Sequence, residues 1–141
     1  MLKVAFASTD RTRVNQHFGA AEGFAVFEVT PDKATLVGVA EFAEEAMDGN
    51  EDKLGAKVDF LEGCAAVYVM AIGASAIKKL MAKGIQPIRV DEIDGIDELL
   101  AEIGRAMREG GVAWIDRAVA GQEKTKDESR FAAMEAEGWE G

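Results

Sequence analysis

Leu2-Lys3-Val4-Ala5-Phe6-Ala7 is a short apolar run of strand length at the very start of the chain. Two more such runs follow, Phe24-Ala25-Val26-Phe27-Glu28-Val29 and Ala34-Thr35-Leu36-Val37-Gly38-Val39. The tight turn Thr30-Pro31-Asp32-Lys33 joins them, which predicts a hairpin. From Glu41 to Asp52 there are six carboxylates and no Lys or Arg, the pattern of a solvated loop. Leu54, Val58 and Leu61 then recur at helical spacing, and Gly63 supplies a C-terminal stop. The run Cys64-Ala65-Ala66-Val67-Tyr68-Val69-Met70-Ala71-Ile72 has neither alternation nor charge, which predicts a central strand buried on both faces. Gly73-Ala74-Ser75 breaks it, and Ser75 is expected to cap a helix carrying Ile77, Leu80 and Met81 as far as Gly84. Ile85 to Val90 reads as a short strand whose Pro87 favours a sheet edge. A third helix carries Ile96, Leu99, Leu100, Ile103 and Met107 and ends at Gly110-Gly111.

The resulting order, β-β-β-α-β-α-β-α, matches the ribonuclease H-like arrangement. That is an α/β fold with a five-stranded mixed sheet flanked by helices, its first strand central and its fourth parallel beside it. Residues 1–111 are expected to form this domain. Residues 112–141 look different and read as a helical or partly disordered acidic tail. Trp114, Ile115 and Val119 have the means to pack back on the domain. Beyond them Gln122 to Arg130 is almost continuously polar, and only Phe131, Met134 and Trp139 punctuate the end.

Composition narrows the function. A chain of 141 residues, 48% hydrophobic, is large enough for a real core, and its formal net charge of −10 repels phosphate backbones. Nucleic acid is therefore not an expected partner. Gly63 to Ile77, the longest uncharged run, is too short and too glycine-rich for a membrane span. No signal-peptide pattern precedes the first strand, and one cysteine forms no internal disulfide, so a reducing cytoplasm is the expected location.

His17 is the single histidine, set in Val14-Asn15-Gln16-His17-Phe18-Gly19 just past the first strand. Neutral imidazole is the commonest protein metal ligand, although a loop histidine can equally pack on Phe18 or bond to a carbonyl. Crossover connections bring the C-terminal ends of parallel strands to one edge of the sheet. The loop from Ser8 to Ala20 should thus face the Ile72-Gly73-Ala74-Ser75 turn. Arg11 and Arg13 make that loop slightly positive in an otherwise acidic chain. The helix beginning near Gly73, Ala74 and Ser75 would add N–H groups and a dipole that favour anions. Cys64 opens the fourth strand, so eight strand residues at about 3.3 Å each, roughly 25 Å, would separate it from Ile72. It therefore reads as a buried structural thiol rather than a co-ligand of His17.

These residues resemble a known family. The opening strand, the Asn15-Gln16-His17-Phe18-Gly19 loop, Phe24 to Val29, the Ala66 to Gly73 segment and Gly84-Ile85-Gln86-Pro87-Ile88 are similar to nitrogenase iron–molybdenum cofactor carrier proteins of the NifX/NafY type. The resemblance covers about residues 1 to 110. It implies a protein that binds an iron–sulfur precursor cluster or the iron–molybdenum cofactor and carries it between assembly proteins without covalent catalysis. The implied partners are the cofactor assembly scaffold and cluster-donor proteins, with apo-nitrogenase as a further one. By position, His17 matches the histidine tied to cofactor binding in that family and is the expected metal ligand. Asn15, Gln16, Phe18, Gly19, Arg11, Arg13, Gly73, Ala74 and Ser75 complete the expected cofactor-binding set. The extra N-terminal helical domain of the longer NafY-type members has no counterpart here, so the likeness is expected to be closest to NifX.

Other readings fare worse against the residues. A ribonuclease H-like nuclease needs clustered carboxylates holding two metal ions, and the first strand has none. A nucleotide site through Gly73-Ala74-Ser75 lacks a Gly-rich phosphate loop with its lysine. The acid runs at Glu41 to Asp52 and Asp91 to Glu102 do not fit the ligand spacing of a calcium loop. A permanently held cluster normally demands several thiolates, and this chain has one. The alternative from another class is a regulatory protein that binds an assembly partner through its acidic surface and holds no cluster.

Overall fold

Alternation in Leu2–Ala7 sends Leu2, Val4 and Phe6 to one side and Ala5 and Ala7 to the other, and all five are buried. A strand buried on both faces belongs in the interior of a sheet. In the computed structural model, which describes residues 1–42 and 51–121 and no side chains at 51–54, that is where it lies. The strands β1 (Leu2–Ala7), β2 (Gly23–Val29), β3 (Ala34–Glu41), β4 (Ala66–Val69) and β5 (Gln86–Arg89) form one sheet in the order β3-β2-β1-β4-β5. β1 pairs antiparallel with β2 and parallel with β4, and β2–β3 is an antiparallel hairpin with a bulge opposite Val26 and Phe27. β5 runs parallel to β4 at the sheet edge, where Pro87 can do without a ladder donor on its open side.

Helices cover both faces. Val58 of α1 (Glu51–Phe60), Leu61, and Ala76 and Leu80 of α2 (Ala74–Ala82) pack on Ala5, Ala7, Phe24, Val26, Val67 and Val69. Ile96, Leu99, Leu100 and Ile103 of α3 (Ile96–Glu109) pack on Leu2, Val4, Phe6, Val29, Ala66 and Tyr68. A further helical stretch at 113–121 joins this second layer: Ile115 is 2% exposed, and the Trp114 ring meets Tyr68 edge-on at 6.2 Å. Residues 122–141, with Phe131, Met134 and Trp139, lie outside the described residues, as does most of the acidic run from Glu41 to Asp52.

Three sequence expectations need correction. The fourth strand ends at Val69 rather than Ile72, because past that point its neighbour is no longer β1 but the loop that follows β1. The Met70 N–H donates to Gln16 O at 2.9 Å, and Ala71 O accepts from the Phe18 N–H at 2.8 Å. Ser75 is not the cap of α2. Gly73 occupies that position in extended conformation, without a side-chain cap bond, and Ser75 is already inside the first turn. Ile77 and Met81 are 37% and 53% exposed, so the buried stripe of α2 is Ala76 and Leu80 alone.

Candidate functional site

The loop between β1 and β2 is folded by its own polar side chains onto main-chain atoms. The Ser8 N–H donates to Gly23 O at 3.0 Å, and a Cβ on Gly23 would stand 2.6 Å from the Ser8 carbonyl oxygen, so this approach requires glycine. One oxygen of Asp10 accepts from the N–H groups of Thr12 and Arg13 at 2.8 and 3.0 Å and from the Ser8 hydroxyl at 3.1 Å. The backbone donors, Thr12 first, hold the Asp10 carboxyl below its ordinary range. Arg11 is thereby placed in left-handed backbone, φ 62°, with its N–H on the Ser8 hydroxyl at 2.9 Å.

The two arginines go separate ways. Arg13 grips Asp94 with two nitrogens at 3.0 and 3.2 Å. Beside it, Val14 N–H donates to Asp94 O and Ile96 N–H to Thr12 O, hooking the loop onto the start of α3. Being largely solvated, the ion pair contributes at most about 1 kcal/mol, and its main effect is to commit the Arg13 charge. Arg11 instead lines a cavity of about 280 Å³ with Ser8, Thr9, Glu22, Glu41 and Phe42, on the β2–β3 side of the loop.

Asn15 and Gln16 use their carboxamides to shape the chain. The Asn15 side chain accepts from the Thr9 N–H and donates to the Thr9 hydroxyl. The Gln16 side chain accepts from the Glu22 N–H and donates to Asn15 O. Phe18 is fully buried with its ring 5.6 Å from that of Phe24. With Gln16 O and Phe18 N–H both bonded to the extension of β4, His17 forms a parallel bridge with Ala71 while its side chain stays exposed. Gly73, Ala74 and Ser75, one residue beyond Ala71, are exposed, and the first turn of α2 carries no acid. The sheet edge therefore brings together an exposed imidazole and the positive end of a helix dipole.

Lys57 is the residue that sequence reasoning passed over. Its side chain, 1% exposed, reaches from α1 to Gly19 O at 2.8 Å and Phe18 O at 3.4 Å, with the ammonium 5.8 Å from the Phe42 ring centre. One signal was present: Lys57 stands three residues after Leu54 and four before Leu61, inside the apolar stripe of its helix.

Cys64 lies at the other end of β4. The next residue, Ala65, donates its N–H to Lys3 O near the start of β1, whereas His17 bridges Ala71 past the strand's C-terminal end. Cys64 is 5% exposed, and burial pushes its thiol up to about 11, so it is a protonated core side chain at neutral pH. Among the described residues no three His, Cys, Asp or Glu side chains cluster to hold one metal ion, and no helix is long and apolar enough to cross a membrane.

Residues 1–106 match the dinitrogenase iron-molybdenum cofactor family, and the chain belongs to that family. Among its relatives is Protein NifX of Azotobacter vinelandii, 50% identical over 140 residues, a match spanning 99% of this chain and 88% of that protein. A second is the FeMo cofactor biosynthesis protein NifB of Frankia alni, 37% identical over 106 residues. That match spans 72% of this chain but 20% of the other, so the same module forms one part of a larger protein there. Among solved structures, the apo form of the orange protein from Desulfovibrio gigas superposes with a TM-score of 0.53. It shares 17% identity over 78% of this chain and 89% of that one, a likeness of fold alone.

Proposed function

We propose that this protein takes part in iron–molybdenum cofactor biosynthesis by binding an iron–sulfur precursor or the finished cofactor as cargo. It would pass that cargo between an assembly scaffold, cluster-donor proteins and apo-nitrogenase, with no covalent catalysis of its own. The observation that carries this reading is the exposed His17 imidazole on a loop whose neighbours are bonded on both sides to the end of β4. A neutral imidazole offers a ring nitrogen to iron without the several thiolates that hold a cluster permanently. The dipole of α2 favours an anionic cargo at the same edge. Membership of the family and the names of its NifX and NifB relatives support the same assignment. The strand order with β1 parallel to β4 fits a ribonuclease H-like scaffold for it.

The test is anaerobic titration of purified variants with isolated iron–molybdenum cofactor, read by visible absorption and bound iron. His17→Ala should weaken binding at least about tenfold with little change in thermal midpoint, since an exposed imidazole contributes little packing. Cys64→Ser should bind as the wild type does. Arg11→Ala should fall between, with an effect that shrinks as salt rises. Binding lost in Cys64→Ser but kept in His17→Ala would overturn the assignment. A wild-type protein that gains no iron-dependent absorption would instead favour a purely interacting role.

A further inference from the structure

We infer that Lys57 is a positioning residue for His17, acting from inside the core through the main chain of the cargo loop. This rests on the carrier reading above. Three observations converge on it. Nearly all of the Lys57 side chain is buried, yet its ammonium is directed at two consecutive carbonyls, Phe18 O and Gly19 O, immediately after His17. The Phe18 N–H is in turn bonded to Ala71 O, so that single residue is held from α1 on one side and from the end of β4 on the other. Phe42, which hydrogen-bonds to Glu22 O at the far end of the same loop, presents its ring to the ammonium.

Burying an ammonium is costly unless it is well bonded, and a charged donor on a carbonyl is stronger than a neutral one. A helix that needed only packing at this position would be served better by leucine or methionine. What the lysine adds is a fixed backbone at residues 18 and 19, and hence a fixed origin for the His17 side chain. These bonds are shielded from solvent, so their hold on the loop should persist at high salt.

The experiment uses the full chain and three variants: Lys57→Met, Lys57→Arg and the double variant Lys57→Met with His17→Ala. Each is titrated anaerobically with isolated iron–molybdenum cofactor at low and high salt, and native-state amide exchange is followed at Phe18. Lys57→Met should lose about tenfold in affinity, equally at both salt concentrations, and Phe18 exchange should accelerate. Lys57→Arg, which keeps charge and donors, should recover most of the loss. The double variant should bind no more weakly than His17→Ala alone, because both changes act through one side chain. A folded Lys57→Met protein with wild-type affinity, or losses that simply add in the double variant, would overturn the inference. Should Lys57→Met fail to fold, Lys57→Gln is judged by the same criteria. If the wild-type protein binds no cofactor, the carrier reading falls. Phe18 exchange then decides the positioning role by itself: unchanged exchange refutes it, and acceleration confined to residues 17–20 upholds it.

Discussion

Asp10, Asn15, Gln16 and Lys57 spend their polar atoms largely on backbone groups of one loop, on which His17 stays exposed. Polar side chains used in this way hold the backbone of the loop in one geometry. At the opposite end of β4, Cys64 illustrates a different use of burial. Its thiol stays neutral in the fold up to about pH 11, while an unfolded thiol ionises near 9.0. A group whose pKa is raised by folding contributes stability that is fully present below the unfolded value and lost as pH rises through the folded one. Stability should therefore fall between about pH 9 and pH 11, with Cys64 contributing on the order of 2–3 kcal/mol. Tyr68, also raised by burial, pushes in the same direction at higher pH still. Denaturant melts of wild type and Cys64→Ala across this window check it: the variant should show the shallower decline.

At the level of elements, the strands and helices follow closely from period and punctuation. β1, the β2–β3 hairpin, β5 at the edge and α3 ending at Gly110 all stand where apolar spacing and glycines put them. Failures came where a distant partner decided the outcome. β4 stops at Val69 because a loop, invisible to local pattern, replaces β1 as its neighbour. Lys57 looks like a solvated helix residue until the fold brings carbonyls from 38 and 39 positions away onto it. The start of α2 was missed by two residues because serine is a better cap than glycine in general, yet here the backbone turns at Gly73. A consequence can be measured. Ser75→Ala should change stability by no more than about 0.5 kcal/mol, whereas loss of a working serine cap typically costs about 1 kcal/mol. A larger loss in urea titration would mean that the hydroxyl does cap the helix.

On the scale of the whole molecule, the two layers differ in what completes them. The α3 side is closed by Ile115 and Trp114 from the 113–121 stretch, so the fold needs residues beyond α3. Ile115→Ala should cost about 2–4 kcal/mol and lower the thermal midpoint by roughly 5–15 °C. Removing residues 122–141 should leave the midpoint within a few degrees of wild type. Calorimetry on both proteins decides this, and a truncated chain that melts much earlier would place Phe131, Met134 or Trp139 in the core. The sheet order has a further effect during synthesis. β2 and β3 can pair onto β1 as soon as they leave the ribosome, but the other edge of β1 waits for Ala66–Val69. Met70 and Ala71, which hold Gln16 and Phe18, emerge later still, so the backbone around His17 is made early and set in place late. A nascent chain stalled before Val69 should therefore display the histidine without the bonds that fix the backbone on either side of it.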